Sequence, residues 1–300
     1  MAFSNSLLSH AEALEAELQA ILAGAAERGW PVRLTAAMGH GLLGGGKRFR
    51  PFLVIESAAL FDIERADALP AAAALECVHC YSLVHDDLPA MDNDELRRGQ
   101  PSVWKAYGDW AAILAGDALL TFAFEILTRS DWSVDTDTRV ALIAALAQAA
   151  GAGGMAGGQQ LDLEAERHRD GCSVDVAGIV RLQGMKTGAL LRFGCEAGAI
   201  LGHAPADLRR ALIDYGAALG LAFQISDDLL DVEGDAATVG KRVGKDAAAG
   251  KASFVTLLGP AAAREELAAT IASACRALSP FGSKADILID AACYLGRRRS

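Results

Sequence analysis

The chain has 300 residues, with 28 Lys plus Arg against 38 Asp plus Glu for a net charge of −10, and it is 52% hydrophobic. A chain of that size buries roughly three quarters of its unfolded surface, which excludes a disordered protein and a small scaffold dependent on staples. The acidic balance argues against nucleic acid as the main partner, because backbone binding depends on Lys and Arg neutralising phosphates.

The N-terminus carries Glu12, Glu15 and Glu17 rather than a basic stretch before an apolar core, so it is an amphipathic helix and not a signal peptide. Apolar positions then recur at three and four residues along nearly the whole chain, and strand-like alternation rich in Val, Ile and Thr is nearly absent. The expected fold is all-α, with helices near 5–28, 33–43, 49–61, 66–88, 103–128, 136–164, 174–201, 206–231, 251–278 and 284–297. Pro31 and Pro51 stand near helix starts, Pro70 enters early in a long helix, and Gly202 and Gly234 follow helix ends. No linker or fixed-period repeat divides the sequence, so one domain over 1–300 is expected, built as a helical bundle. The stretch from Val140 to Leu161 is uncharged and long enough to span a bilayer. It is mostly Ala and Gly with Gln148, Gln159 and Gln160, residues that gain little from lipid, so the expectation is a central helix with small faces and no membrane span.

Six cysteines, at 77, 80, 172, 195, 275 and 293, lie mostly in apolar runs, as expected for reduced thiols of a cytoplasmic protein. The run Cys77-Val78-His79-Cys80 has no second Cys or His pair to complete a zinc shell.

Chemistry concentrates in two acidic clusters at the ends of apolar helices. Asp227, Asp228 and Asp231 stand at i, i+1 and i+4, so Asp227 and Asp231 share a helix face with Asp228 about 100° round. Stacked like charges repel, and near a helix C-terminus they oppose the macrodipole; a bound cation removes both penalties. In the other cluster, Asp86, Asp87 and Asp92, a continuous helix would set Asp86 and Asp92 about 120° apart. Pro89 disfavours helical geometry at Leu88, so the helix ends or kinks and Asp92 can swing back toward Asp86. Such an all-oxygen site suits Mg²⁺, which takes one or two carboxylates with phosphate oxygens and water.

Cationic groups accompany the acids. Gly44-Gly45-Gly46-Lys47-Arg48-Phe49-Arg50-Pro51 sets flexible backbone and three positive charges at a helix start, where anions bind. Arg97-Arg98-Gly99 follows the first acidic cluster, and Lys186-Thr187-Gly188 interrupts an apolar helix, where an unpaired ammonium would be costly. Metal-type acids and phosphate-type cations in an apolar bundle imply a diphosphate bearing a greasy tail.

The ordered set Gly45 to Pro51, Glu76 to His79, Asp86-Asp87-Leu88-Pro89-Ala90-Met91-Asp92, Arg97-Arg98-Gly99, Leu114 to Leu119, Gly157-Gly158-Gln159, Lys186-Thr187-Gly188 and Phe223 to Asp231 resembles the short-chain trans-isoprenyl (polyprenyl) diphosphate synthases over nearly the whole sequence. The likeness is greatest to the bacterial farnesyl-type members. It implies about ten or more helices around a central apolar cavity, a homodimer, small isoprenoid diphosphates as substrates, and both Asp motifs facing each other at the cavity mouth. By that resemblance Asp86, Asp87, Asp92, Asp227, Asp228 and Asp231 hold three Mg²⁺ ions, and Arg97, Lys186, Thr187, Gln224, Lys241 and Lys251 line the allylic diphosphate site. Lys47, Arg50, His79 and Arg98 match the isopentenyl diphosphate pocket. Tyr81, with Ser82 beside it, is expected beneath the first motif, where an aromatic and a two-residue-longer Asp motif mark synthases that stop at fifteen carbons.

The resemblance is incomplete in two places. Lys251-Ala252-Ser253-Phe254-Val255 departs from a run that in relatives often reads Lys-Ser-Thr-Tyr-Pro, and Arg297-Arg298-Arg299 resembles a basic tail with no assigned role here. A geranylgeranyl-forming synthase is the alternative for product length. A terpene cyclase does not need Lys47, Arg50 and His79, and an inactive regulatory subunit predicts damaged Asp motifs, whereas both are complete.

Overall fold

A computed structural model describes residues 2–167, 175–233 and 253–297. Lys241 and Lys251 of the expected allylic site, Gly234, Cys172, and Arg298 and Arg299 of the tail lie outside the described residues. Described structure is almost entirely helical, as expected, and it falls into two compact units, Met1–Ala144 with Ile200–Gly202 and Ala145–Ala199 with His203–Ser300.

The first unit contains α1 (Ala2–Ala23), α2 (Val32–Leu42), α3 (Phe49–Ala59), α4 (Arg65–Asp86), a hairpin of β1 (Leu96–Arg97) and β2 (Gln100–Pro101), α5 (Val103–Tyr107), α6 (Asp109–Leu127) and the start of α7 (Thr136–Ala150). At its centre stands α4, where Ala71, Ala72, Ala73, Ala74, Leu75, Cys77 and Val78 are wholly buried between α3 and α6. Alanine is the best helix former and its small side chain lets both neighbours approach closely. Contact with α6 is tightest at Gly116, where an added Cβ would lie 2.1 Å from Nε2 of His85. That explains the glycine in Leu114-Ala115-Gly116-Asp117: His85 fills the space above it and its Nε2 lies 3.0 Å from the Ile113 carbonyl oxygen.

Three of the expected helices are broken, each where glycine permits a non-helical backbone. Gly108 (φ 92) separates α5 from α6. Residues 151–154 turn between α7 and α8 (Met155–Arg167), and at Gly154 a Cβ would lie 2.1 Å from the Ala149 carbonyl oxygen. The uncharged stretch from 140 to 161 is therefore two helices, not the single central helix expected. Gly259 (φ 80) and Pro260 separate α12 (Phe254–Leu258) from α13 (Pro260–Ala277); Pro260 starts the second helix, where a missing N–H costs nothing.

The second unit also holds α9 (Val176–Gln183), a π-turn (Gly184–Gly188) continuing into α10 (Ala189–Leu201), α11 (Ala206–Glu233), a 3₁₀ segment (Ser279–Ala285) and α14 (Asp286–Arg297). Its core is α11 against α13 and α14. The fully buried Tyr215 donates its hydroxyl to the Leu288 carbonyl oxygen at 2.7 Å, and the Ser226 hydroxyl donates to that of Leu295 at 3.0 Å, fastening α14 along α11.

Candidate active site

In the first unit α4 ends at Asp86, three residues before Pro89, as the sequence predicts. The following loop folds back: the Asp92 N–H donates to the Asp86 carbonyl oxygen at 2.9 Å and the Asp94 N–H to that of Asp87 at 3.2 Å. Asp86 is half-buried and Asp92 exposed. Asp87 is turned the other way. It is 2% exposed and accepts from Nε of Arg97 at 3.0 and 3.2 Å, with Nη2 of Arg97 on the same carboxylate.

Arg97 and Arg98 are carried by the short hairpin, which strand periodicity in the sequence does not reveal. Arg97 pairs with Gln100, and Arg98 (φ 54) and Gly99 (φ 77) make the tight turn, both left-handed as a two-residue hairpin of this hand requires. The Arg98 guanidinium lies over Gly46 (φ 127), where an added Cβ would sit 2.7 Å from its carbon. Across the same region Nη1 of Arg50 approaches Nε2 of His79 at 3.4 Å, and Lys47 is exposed. Arg50, His79 and Arg98 are thus assembled in one unit beside the glycine loop. Burial first, and then the charges of Arg50, Arg98, Arg48 and Arg97, hold the His79 imidazole well below its ordinary range. It is neutral at physiological pH and can donate one hydrogen bond to an anion while adding no charge.

This shift has a sign that can be tested. The unfolded chain takes up a proton at His79 as pH falls below about 6.5 and the folded one does not, so this residue makes stability fall with decreasing pH. His79→Gln is expected to flatten the loss of urea midpoint between pH 7.5 and 5.5. Identical midpoint losses in the two proteins would remove the half-buried neutral imidazole from the account.

Arg48 corrects the expectation of three anion-facing cations. It is 4% exposed and points inward, donating to Oε1 of Glu76 at 2.6 Å, to Oε2 of Glu15 at 2.8 Å and to the Leu42 carbonyl oxygen at 2.7 Å. Burial pulls its pKa down, but the Glu76 charge and the hydrogen bonds that Arg48 donates to Glu76 and Glu15 outweigh that and raise it. Nearby, burial pushes the Cys80 thiol up to about 12, Glu76 adding to the effect and Arg48 opposing it. Tyr81 is half-buried on α4, its ring edge-to-face with His85 at 5.8 Å and 81°, and the Ser82 hydroxyl turns back to the His79 carbonyl oxygen at 2.8 Å.

In the second unit Lys186 and Thr187 ride on the π-turn, a wide turn of the kind that often marks functional sites in helices. Two glycines clamp it. A Cβ on Gly158 of α8 would lie 2.2 Å from the Lys186 backbone nitrogen, and one on Gly220 of α11 would lie 2.7 Å from the Gly188 Cα. One helical turn beyond Gly158, Asp162, 4% exposed, accepts from Nζ of Lys186 at 2.5 Å. This partner was missed from sequence. Its signal was a carboxylate four residues after the glycine of Gly157-Gly158-Gln159. Gly158→Ala is expected to cost about 1–3 kcal/mol, because backbone cannot yield as a side chain tip can, and to lower turnover by displacing Lys186. Wild-type urea midpoint and kcat in that variant would refute the clamp.

Further along, α11 carries the second acidic cluster. Asp228, 5% exposed, accepts from Nε2 of Gln224 at 2.8 Å and from the Phe254 N–H at 2.9 Å, so both its oxygens are engaged. Asp227 and Asp231 are half-buried, and Oδ2 of Asp231 is buried with no hydrogen-bond partner. Among the described residues no three His, Cys, Asp or Glu side chains are grouped as ligands for one ion. The Asp86–Asp92 backbone closure in the first unit and, separately, the orphaned Asp231 oxygen in the second each fit a hard divalent cation that takes further ligands from phosphate oxygens and water.

Comparison with known proteins agrees with this chemistry. Residues 31–280 match the family described as polyprenyl synthetase. The farnesyl diphosphate synthase of Geobacillus stearothermophilus is 45% identical over 83% of this chain and 82% of its own, and that of Escherichia coli is 48% identical over 76% of each. Among solved structures, an FPP/GFPP synthase from Zymomonas mobilis superposes with a TM-score of 0.85 at 43% identity, covering 98% of this chain and 99% of its own. In family terms, then, a chain with these motifs in this order on this helical scaffold belongs to the polyprenyl synthetases.

Proposed function

We infer that this protein is a prenyltransferase that condenses isopentenyl diphosphate with dimethylallyl or geranyl diphosphate, head to tail, to make (2E,6E)-farnesyl diphosphate. The observation that carries this is the gathering of Arg50, His79 and Arg98 at the glycine loop. These are cations and a neutral imidazole gathered apart from the second acidic cluster's helix, and an enzyme with a single diphosphate substrate has no use for them beside the metal-type acids. Farnesyl diphosphate synthases at 45% and 48% identity support the substrate class.

Asp86, Asp92, Asp227 and Asp231 are the carboxylates best suited to Mg²⁺, with three ions per site the working number; Asp87 contributes through Arg97, and Asp228 through Gln224 and the Phe254 N–H. Bound Mg²⁺ supplies Lewis-acid stabilisation of the departing diphosphate. Lys186, Thr187, Arg97 and Gln224, with Lys241 and Lys251 from outside the described residues, hold the same diphosphate so that its charge is met as the allylic C–O bond ionises. Lys47, Arg50, His79 and Arg98 hold isopentenyl diphosphate so that its double bond attacks the allylic carbon. The attack forms the new C–C bond and leaves a tertiary cation on the former isopentenyl unit, which loses a proton to the released diphosphate to give the new double bond. The apolar surface of α4 below the first motif excludes water from the carbocation, and Tyr81 limits how long a chain fits.

The exposed Trp110, Ile113 and Leu114 on α6 support a homodimer, which sedimentation at micromolar concentration would test. Function in the cytoplasm as one isoprenoid synthase domain completes the reading. The central experiment is incubation with isopentenyl diphosphate, geranyl diphosphate and Mg²⁺, followed by dephosphorylation and chain-length analysis. A C15 alcohol is expected, a C20 alcohol would favour the geranylgeranyl alternative, and no Mg²⁺-dependent condensation would overturn the reaction.

A further inference from the structure

We propose that Arg48 and Glu76 are positioning residues for isopentenyl diphosphate, forming a buried clamp that sets where Lys47, Arg50 and His79 stand. The proposal rests on the two-diphosphate reading above and deepens it. Arg48 immediately precedes α3 and has a left-handed backbone, φ 49, which few non-glycine residues adopt. The twist sends Arg48 into the interior while Lys47 before it stays exposed and Arg50 after it reaches His79.

Inside, one guanidinium joins four segments. It is held by Glu76 of α4, Glu15 of α1 and the Leu42 carbonyl at the end of α2, and its own backbone opens α3. Glu76 lies three residues before His79, on the adjacent turn of the same helix. The anion that anchors the loop and the imidazole that faces Arg50 are therefore carried by one rigid element.

Neither Arg48 nor Glu76 reaches the ligand surface, at 4% and 2% exposure, so neither is a diphosphate contact itself. Stability alone is a weak reason for such a pair, because a buried ion pair is often replaced by apolar residues at little cost. An apolar pair cannot, however, fix the rotation of the loop about its own axis. A planar guanidinium with three acceptors in set directions can. The loop needs that constraint, since Gly44, Gly45 (φ 80) and Gly46 (φ 127) precede it and glycine backbone resists displacement least.

The test is the double variant Arg48→Met with Glu76→Met, which removes both charges, keeps apolar volume and leaves Glu15 solvated, and beside it Glu76→Gln, which keeps the hydrogen-bonding shape. The readouts are KM for isopentenyl diphosphate, KM for geranyl diphosphate, calorimetric affinity for isopentenyl diphosphate, and thermal midpoint. Expected in the double variant are a folded protein, a KM for isopentenyl diphosphate raised about tenfold or more with affinity weakened in step, and a KM for geranyl diphosphate within about twofold of wild type; Glu76→Gln is expected to recover most of the loss. Unchanged constants for both substrates, or equal rises in both, would overturn the clamp. If the double variant does not fold, Arg48→Lys, which keeps the charge but loses the planar fork, decides: a KM for isopentenyl diphosphate that moves no further than that for geranyl diphosphate overturns the clamp. A wild type that binds isopentenyl diphosphate without condensing it would sink the proposed reaction, and the affinity ratio would still judge the clamp.

Discussion

Asp86→Asn is expected to lower kcat by about a thousandfold and to raise the Mg²⁺ concentration needed for half-maximal rate, with little change in stability. Asp86 closes α4, is half-buried, and its carbonyl is tied to the Asp92 N–H, so a metal ion bound by these carboxylates would rest on a helix end and a loop fastened to it. Asp87→Asn is expected to behave differently although it is the adjacent residue. Its carboxylate is 2% exposed and already holds Arg97, so losing its charge leaves that guanidinium partly unpaired. Removing one partner of a buried pair costs about 3–5 kcal/mol, and this case falls at or below the lower end because Arg97 keeps 29% of its side chain exposed. The kinetic consequence is a raised KM for the allylic diphosphate through a displaced Arg97, with a Mg²⁺ requirement near that of wild type. Thermal midpoints and Mg²⁺ titrations of both variants separate the two roles. Equal Mg²⁺ dependence in Asp86→Asn and wild type would remove Asp86 from the metal site.

Much of this site was legible in the sequence because its signals are local. Pro89 alone predicts that α4 stops and that Asp92 comes back toward Asp86, and both are found. An ammonium inside an apolar helix predicts a partner, and Lys186 has one. The identity of that partner was not legible, because Asp162 reaches Lys186 only through the close approach that Gly158 allows between two helices.

The three cations at 47, 48 and 50 show the same limit from another side. They are alike in chemistry, and only the left-handed backbone at Arg48 turns one of them inward to Glu76. The broken helices failed for a related reason. The breaks fall at Gly108, at residues 151–154 and at Gly259, but the apolar periodicity continues across each, so periodicity alone does not mark them. The hairpin carrying Arg97 and Arg98 has two residues per strand, too few for any alternation to register.

Tyr81→Ala is expected to shift the main product from C15 to C20 or longer, with condensation itself retained. Tyr81 precedes Asp86 by five residues on α4, about a turn and a half below the end of the helix. Its ring is not free to swing, because it packs edge-to-face on His85, and His85 is in turn seated on Gly116 with Nε2 against the Ile113 carbonyl. Removing the ring opens the space of a phenol, enough for most of another five-carbon unit, whereas Ser82 beside it is small and bound back to its own helix. The packing makes a second expectation. Gly116→Ala would place a methyl 2.1 Å from the His85 ring, displace it, and loosen the support of Tyr81, so longer products should appear even with Tyr81 intact. Chain-length analysis of the dephosphorylated products from both variants is decisive. A Tyr81→Ala enzyme that still stops at C15 would move the floor of the cavity to another residue, and lengthening in Tyr81→Ala but not in Gly116→Ala would leave the ring as the floor without His85 as its support.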